Sequence, residues 1–266
     1  AQLMGAPGTS RDAHEVSTCV DALHGGMRAI AAGQSVSLWL IRQLHLTLMT
    51  GVVGGDRTPG AFRTEQNYLG SGLLGIQHAR YIPPPVRELQ PALHALEQYI
   101  IAPDDLPHLL RIACVHYQFE TLHPFGDGNG RVGRLLIVLL LLQWGLLSQP
   151  LLTLSAFLEQ HRREYVGLLG GVSSAGEWDA WLCFFLHGVE QAAVDGRRRA
   201  QHLMMLRQEW QALLRDRRAP TNDALLADHL FAYPVLSASA VHRLLGVTAR
   251  AARMILDRFV GYGVLT

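Results

Sequence analysis

Residues 123–142 read His-Pro-Phe-Gly-Asp-Gly-Asn-Gly-Arg-Val-Gly-Arg-Leu-Leu-Ile-Val-Leu-Leu-Leu-Leu. The last eight are apolar without interruption, a pattern that predicts a helix buried on all sides at the centre of a bundle. The first twelve then lead into that helix, which is expected to begin near Gly128 with Asp127 as its N-cap. Gly128, Asn129 and Gly130 would present backbone N–H groups at the positive end of the helix dipole, and glycines without Cβ let a phosphate come close. Arg131 and Arg134 stand three apart, on one side of the helix, where both can grip phosphate oxygens. Asp127 beside phosphates is poorly placed as a bare anion, and a Mg²⁺ ion between carboxylate and phosphate oxygens removes the conflict. His123 is suited to take a proton from an attacking hydroxyl near pH 7. The set predicts nucleotidyl or phosphoryl transfer; the bland reading is punctuation between two buried helices.

The segment resembles the motif of the Fic family, His-x-Phe-x-Asp/Glu-Gly-Asn-Gly-Arg-x-x-Arg, and matches every specified position. The resemblance implies an ATP-using protein adenylyltransferase that moves AMP to a Ser, Thr or Tyr hydroxyl and releases pyrophosphate. It gives His123 the role of general base, Asp127 that of Mg²⁺ ligand, and Gly128, Asn129 and Gly130 the α- and β-phosphates. Arg131 would support the phosphates, Arg134 would reach the γ-phosphate, and Phe125 would be a buried anchor of the loop. Relatives with lysine in place of the second glycine transfer phosphate instead, and Gly130 favours AMP. Many Fic proteins also carry an inhibitory helix with a Ser/Thr-x-x-x-Glu-Gly/Asn signature. Ser155 to Glu159 and Ser173 to Glu177 have the spacing, but Gln160 and Trp178 follow and both lie after the motif. No inhibitory helix is found in this chain; one is expected upstream of Ala1, or removed.

Working outward, Ala13 to Ala32 predicts a helix with Val16, Cys19, Val20, Leu23 and Met27 on its apolar face, after a loose segment to about Thr9. Ser37 to Met49 predicts a second, in which His45 is expected to be packed or on the surface. The glycine- and proline-rich stretch 51–60 breaks the pattern. Pro59-Gly60-Ala61-Phe62-Arg63 through Pro85 cannot be a long helix and predicts a hairpin, which also resembles the Fic flap. That flap, residues 62–83, is expected to hold the target polypeptide by strand addition. Val86 to Ile101, Leu106 to Leu122, Leu154 to Leu169 and Trp178 to Gln191 predict further helices, with His116 as a core or capping residue.

The fold class expected is all-α: a Fic-type helical bundle with a small β-hairpin flap, and a C-terminal helix-turn-helix or winged-helix-like domain. The expected divisions are an N-terminal helical segment (1–36), a catalytic core (37–195), a helical linker (196–221) and a winged-helix-like module (222–266) whose wing is apparently truncated. The charge divides too, with 12 Arg against 17 acidic residues up to Gly196 and 11 against five beyond it. In the last module Gly246-Val247 is the expected turn, and Thr248, Arg250 and Arg253 begin a recognition helix with DNA as partner. A basic module can equally be a solvated or dimerising one, and a homodimer is left open.

Composition excludes several classes. At 49% hydrophobic the 266 residues can build a sizeable core, so the chain is not disordered. Its longest aliphatic run is far short of the roughly 20 residues that span a bilayer, so no membrane partner and a cytoplasmic place are expected. Three widely spaced cysteines, Cys19, Cys114 and Cys183, suit neither a disulfide framework nor a cysteine metal site. All 23 basic residues are arginine, which reads as the coding bias of a GC-rich bacterial genome. The partners expected are therefore ATP with Mg²⁺ and a hydroxyl-bearing protein, which can be the chain itself. Two other functions remain open: a DNA-binding regulator with the Fic core as nucleotide sensor, and transfer of UMP, phosphate or phosphocholine.

Overall fold

A computed structural model describes residues 10–51, 58–70 and 76–266, with side chains from residue 14 onward. The expected loose segment before Thr9 and most of the glycine-rich break at 51–60 lie outside the described residues. The chain forms two compact units, Ala1–Ala193 and Val194–Thr266.

The first unit is built from α1 (Ser10–Ala31), α2 (Leu38–Met49), α3 (Val86–Ile101), α4 (His108–Leu122), α5 (Asn129–Gln143), α6 (Ser155–Gln160), α7 (Arg162–Ala175) and the start of α8 (Trp178–Asp216). Helix α5 is the centre, as its all-round apolar pattern predicts: Val132 and Leu135 to Leu141 are all buried. Helices α1, α2 and α4 pack directly on it. The approach of α1 is close enough that a Cβ on Gly26 would stand 2.7 Å from Leu139 Cδ1, so that crossing requires glycine. The inward face of α1 runs through Thr18, Ala22 and Gly26; Val16 and Val20, expected to face inward, are exposed. The N-terminus of α2 is satisfied by three other side chains. Ser37 Oγ accepts from Leu40 N–H, Glu97 Oε1 from Leu38 N–H at 2.7 Å, and Gln143 Oε1 from Val36 N–H at 2.5 Å. Buried Arg111 of α4 donates to the Tyr99 and Ala102 carbonyls at the end of α3 and lies over the Trp144 ring.

Several expected boundaries move. The helix expected over 154–169 is two, because the His161 backbone turns away (φ −105°, ψ 26°) while its ring Nδ1–H donates to the Phe157 carbonyl at 3.0 Å. Helix α8 runs on through the expected boundary near 196 as one 39-residue helix. No proline interrupts it, and Asp195 pairs one turn ahead with Arg198 (2.8 Å) and Arg199 (2.7 Å), which offsets the modest helix cost of Gly196. The expected hairpin is reduced, among the described residues, to one antiparallel bridge, Leu69 with Tyr81, and a 3₁₀ turn at Ile76–His78. Residues 71–75 between them lie outside the described residues.

In the second unit, α9 (Thr221–Ala232), α10 (Ala238–Leu245) and α11 (Ala249–Gly261) enclose a small core of Leu226, Leu230, Val241, Ile255 and Phe259. Gly246 takes φ +64° in the turn, as the helix-turn-helix reading expects. No strand follows α11 among the described residues, so what is seen of the expected module is its three helices and the turn between α10 and α11.

Because Leu136 is wholly buried in α5, Leu136→Ala is expected to lower stability by about 2–5 kcal/mol, the usual cost of a leucine cavity, in denaturant unfolding of the first unit.

Candidate active site

The motif loop joins α4 to α5, and its shape follows from two residues in the left-handed region. His123 ends α4 at φ 45°, ψ 60°, and Gly128 caps α5 at φ 79°, ψ 0°. The helix therefore starts one residue later than expected, and Asp127 is not its N-cap; Asp127 Oδ1 instead accepts from Gly128 N–H at 2.6 Å. Gly128 needs its glycine on conformational grounds, and a Cβ would also stand 3.0 Å from Met49 Sδ.

Phe125 is wholly buried beneath the loop, as the anchor reading expects. Its ring lies flat on His45 of α2, with centroids 3.8 Å apart and planes 8° from parallel. His45 Nδ1 accepts from Gly60 N–H at 2.8 Å, so Nε2 carries the hydrogen and donates to the Asp127 carbonyl at 3.0 Å. Asn129 is buried and its side chain closes the loop from inside, accepting from Phe125 N–H at 2.9 Å and donating to the Phe125 carbonyl at 2.8 Å. Its side chain is thus a loop clamp, which leaves its backbone for the expected phosphate role. Buried Arg63 donates to the carbonyls of His123 (3.1 Å) and Pro84 (2.6 Å), and Asn67 to those of His123 and Phe125. Sequence reasoning missed His45, Arg63 and Asn67 as loop supports. Arg63 was visible inside the Pro-Gly-x-Phe-Arg segment, but neither its partners nor those of His45 have a local signal.

His123 Nδ1 lies 3.3 Å from the Glu120 carbonyl, which can only accept; Nδ1 therefore carries the hydrogen and Nε2 keeps its lone pair. Burial, helped by the Arg63 guanidinium, holds the imidazole below its ordinary range against the opposing pull of the Glu120 carbonyl and Asp127, so it is neutral near pH 7. Within one cavity of about 660 Å³ the fold brings together His123, Asp127, Gly128, Asn129, Gly130, Arg131 and Arg134. Arg131 leans toward α1, 3.7 Å from Glu15 Oε2 and 3.9 Å from Asp127 Oδ2. The Asp127 side chain remains 58% exposed. Mg²⁺ is usually held by one or two carboxylates with substrate phosphates and water, so this residue fits the ion. No cluster of three or more potential metal ligands occurs among the described residues, and a Mg²⁺ held in that way needs none. Thr248, Arg250 and Arg253 belong to the second unit: all three are exposed, and Thr248 Oγ1 caps α11 by accepting from Ala251 N–H.

With the geometry described, its relatives can be named. The Fic/DOC family model matches residues 35–141, from just before α2 to the end of α5. This segment is a Fic domain. A protein adenylyltransferase Fic from Culex quinquefasciatus is 30% identical over 170 residues, 62% of this chain and 31% of that one. A probable protein adenylyltransferase of Aquifex aeolicus is 31% identical over 87 residues, 33% of this chain and 27% of the relative. This chain thus spans about a third of the length of these curated relatives. The crystal structure of a Fic family protein from Desulfovibrio desulfuricans G20 shares the fold, with TM-score 0.58 and 21% identity, over 98% of this chain and 70% of that one. Fic-1 from C. elegans does so with TM-score 0.57 and 22% identity, over 76% of this chain and 55% of its own.

In this Fic domain His45→Phe keeps the ring on Phe125 and removes both hydrogen bonds. It is expected to destabilise the domain by about 1–3 kcal/mol, the cost of a buried unpaired donor, readable as a lowered unfolding midpoint.

Proposed function

We propose that this chain is a Mg²⁺-dependent protein adenylyltransferase. One observation carries the reading: a neutral imidazole with a free Nε2, an exposed carboxylate, a helix N-terminus and two arginines converge on one cavity of a Fic domain. The names of the curated relatives support the same activity.

In the reaction, a Ser, Thr or Tyr hydroxyl of the target attacks the α-phosphorus of ATP. The new bond is from hydroxyl oxygen to phosphorus, the α–β phosphoanhydride bond breaks, and pyrophosphate leaves. His123 Nε2 takes the hydroxyl proton as the bond forms. The N–H groups that open α5 and the Arg131 and Arg134 guanidiniums hold the phosphates and stabilise charge where it develops. Asp127 would hold Mg²⁺, which neutralises phosphate charge when bound. Leu69, Arg80 and Tyr81 border the same cavity, and through them residues 62–83 bring the target segment beside His123.

With Mg²⁺ and α-labelled ATP, the wild-type chain is expected to label itself or a lysate protein with an AMP-sized mass. His123→Ala should slow this by roughly 10² to 10⁴-fold, the usual weight of a general base. Arg134→Ala should also lose labelling; a gain would speak for an inhibitory role of that arginine. Label arriving from γ-labelled ATP instead would overturn AMP transfer in favour of phosphate. At saturating ATP the rate should stay level from about pH 7 to about pH 8.5, because burial keeps the His123 imidazole neutral throughout.

DNA binding by the second unit is a second reading, favoured by Arg250 and Arg253 standing exposed at the start of α11. Duplex affinity that falls steeply with salt would support it; affinity without salt dependence would not.

A further inference from the structure

Glu120, on the last turn of α4, borders the cavity but has no part in the chemistry described above. Its Oε1 is buried and accepts no hydrogen bond. Buried carboxylates seldom stand so, because an unpaired oxygen forfeits its hydration without return. The backbone opposite has been cut back to admit it: a Cβ on Gly133 would lie 2.4 Å from Oε1. The position a Cβ would take on Gly130 lies 3.2 Å from Arg134 Nη1 and 4.0 Å from Glu120 Oε1, so both groups face the first turn of α5, with no ion pair formed between them.

The other titratable groups facing this carboxyl are neutral. His116, one turn back on α4, donates from Nδ1–H to the Gly133 carbonyl and accepts the Tyr165 hydroxyl of α7 at Nε2, and burial holds its pKa down to about 4. Burial also raises the Tyr165 phenol well above its ordinary range, and His123 at the end of α4 is neutral as argued above. Arg134 of α5 is thus the charge that favours the ionised form of Glu120, working against a burial that pushes its pKa up to about 7.

We propose that Glu120 is a carboxylate whose charge the nearby Arg134 guanidinium offsets through space, and that it takes a proton from solvent when the terminal phosphate of the nucleotide claims that guanidinium. The inference rests on the nucleotide reading of the cavity. A polyphosphate that captures Arg134 removes the one compensating charge and adds negative charge nearby, and both effects favour the protonated carboxyl. Nucleotide binding then consumes a proton. Below the pKa of the free protein Glu120 is already protonated and affinity does not depend on it. As pH rises through about 7 the proton must be taken up on binding, and affinity falls.

The test uses α,β-methylene ATP, which cannot donate AMP, titrated calorimetrically into the full chain with excess Mg²⁺. The Kd of the wild type is expected to rise about tenfold between about pH 7 and about pH 8.5, as one linked proton requires. Glu120→Gln, which mimics the protonated carboxyl at the same size, should bind at least as tightly at high pH and vary less than about twofold over the range, since the linked proton is gone. Repeating the wild-type titration in buffers of different ionisation heat should show net proton uptake that the variant lacks. A wild type that takes up no proton, or a Glu120→Gln protein with an unchanged pH profile, would overturn the proton linkage while leaving the adenylyltransferase reading intact. A wild type that binds no nucleotide at about pH 6.5, where Glu120 is protonated, would overturn that reading and this inference with it.

Discussion

The stacking of His45 on Phe125 is the contact on which the rest of the site depends. The motif loop is too short and too rich in glycine to hold a shape by its own propensities. The ring pair supplies a buried floor, and the two nitrogens of His45 tie that floor to Gly60 on one side and to the Asp127 carbonyl on the other. Asn129 and Arg63 then bond the loop's own backbone groups, so the carbonyls of His123 and Phe125 are both engaged, and Arg63 ties them to the Pro84 carbonyl ahead of α3. With the backbone so engaged, the His123 imidazole can direct Nδ1–H back to α4 and leave Nε2 to the cavity.

Rigidity at the loop is inherited from the core. Helix α5 is both the central element of the bundle and the element whose first turn borders the cavity, so displacing the site would disturb the packing of α1, α2 and α4 as well. Behind that turn lies a second layer of polar groups, buried His116 and partly buried Glu120 and Tyr165, in which desolvation keeps the imidazole and the phenol neutral while Arg134 favours a charge on the carboxyl. Such a layer is sensitive to what enters the cavity, because a low dielectric lets one added charge move the protonation of its neighbours.

The second unit is held by different means. Its apolar core is small, and Asp223, wholly buried at the start of α9, is gripped by both Nε and Nη2 of Arg258 on α11. A buried carboxylate left without that partner would carry its full desolvation cost, so the pair specifies how α11 meets α9 more than it adds stability. The face of α11 that carries Arg250 and Arg253 has no such partner role and stays in solvent.

The helical bundle, its central helix and the motif residues that line the cavity were legible in the sequence, because periodicity and a twelve-residue motif are local signals. The Gly246 turn followed for the same reason, and the burial of Phe125 agrees with what the motif's resemblance implied. The tertiary structure decided what depends on groups far apart in the chain. It joined Trp178 to Asp216 into one helix where a helix to Gln191 and a separate helical linker from 196 had been expected, since Asp195 meets its arginines only once helical. It set the start of α5 at Asn129, because Asp127 Oδ1 takes Gly128 N–H in place of capping. It also placed His45, 82 residues from Asp127, on the motif loop, and Glu120 against a glycine on the neighbouring helix. Burial and close approach arise from the packing of whole elements, and no window of sequence contains both sides of such a contact.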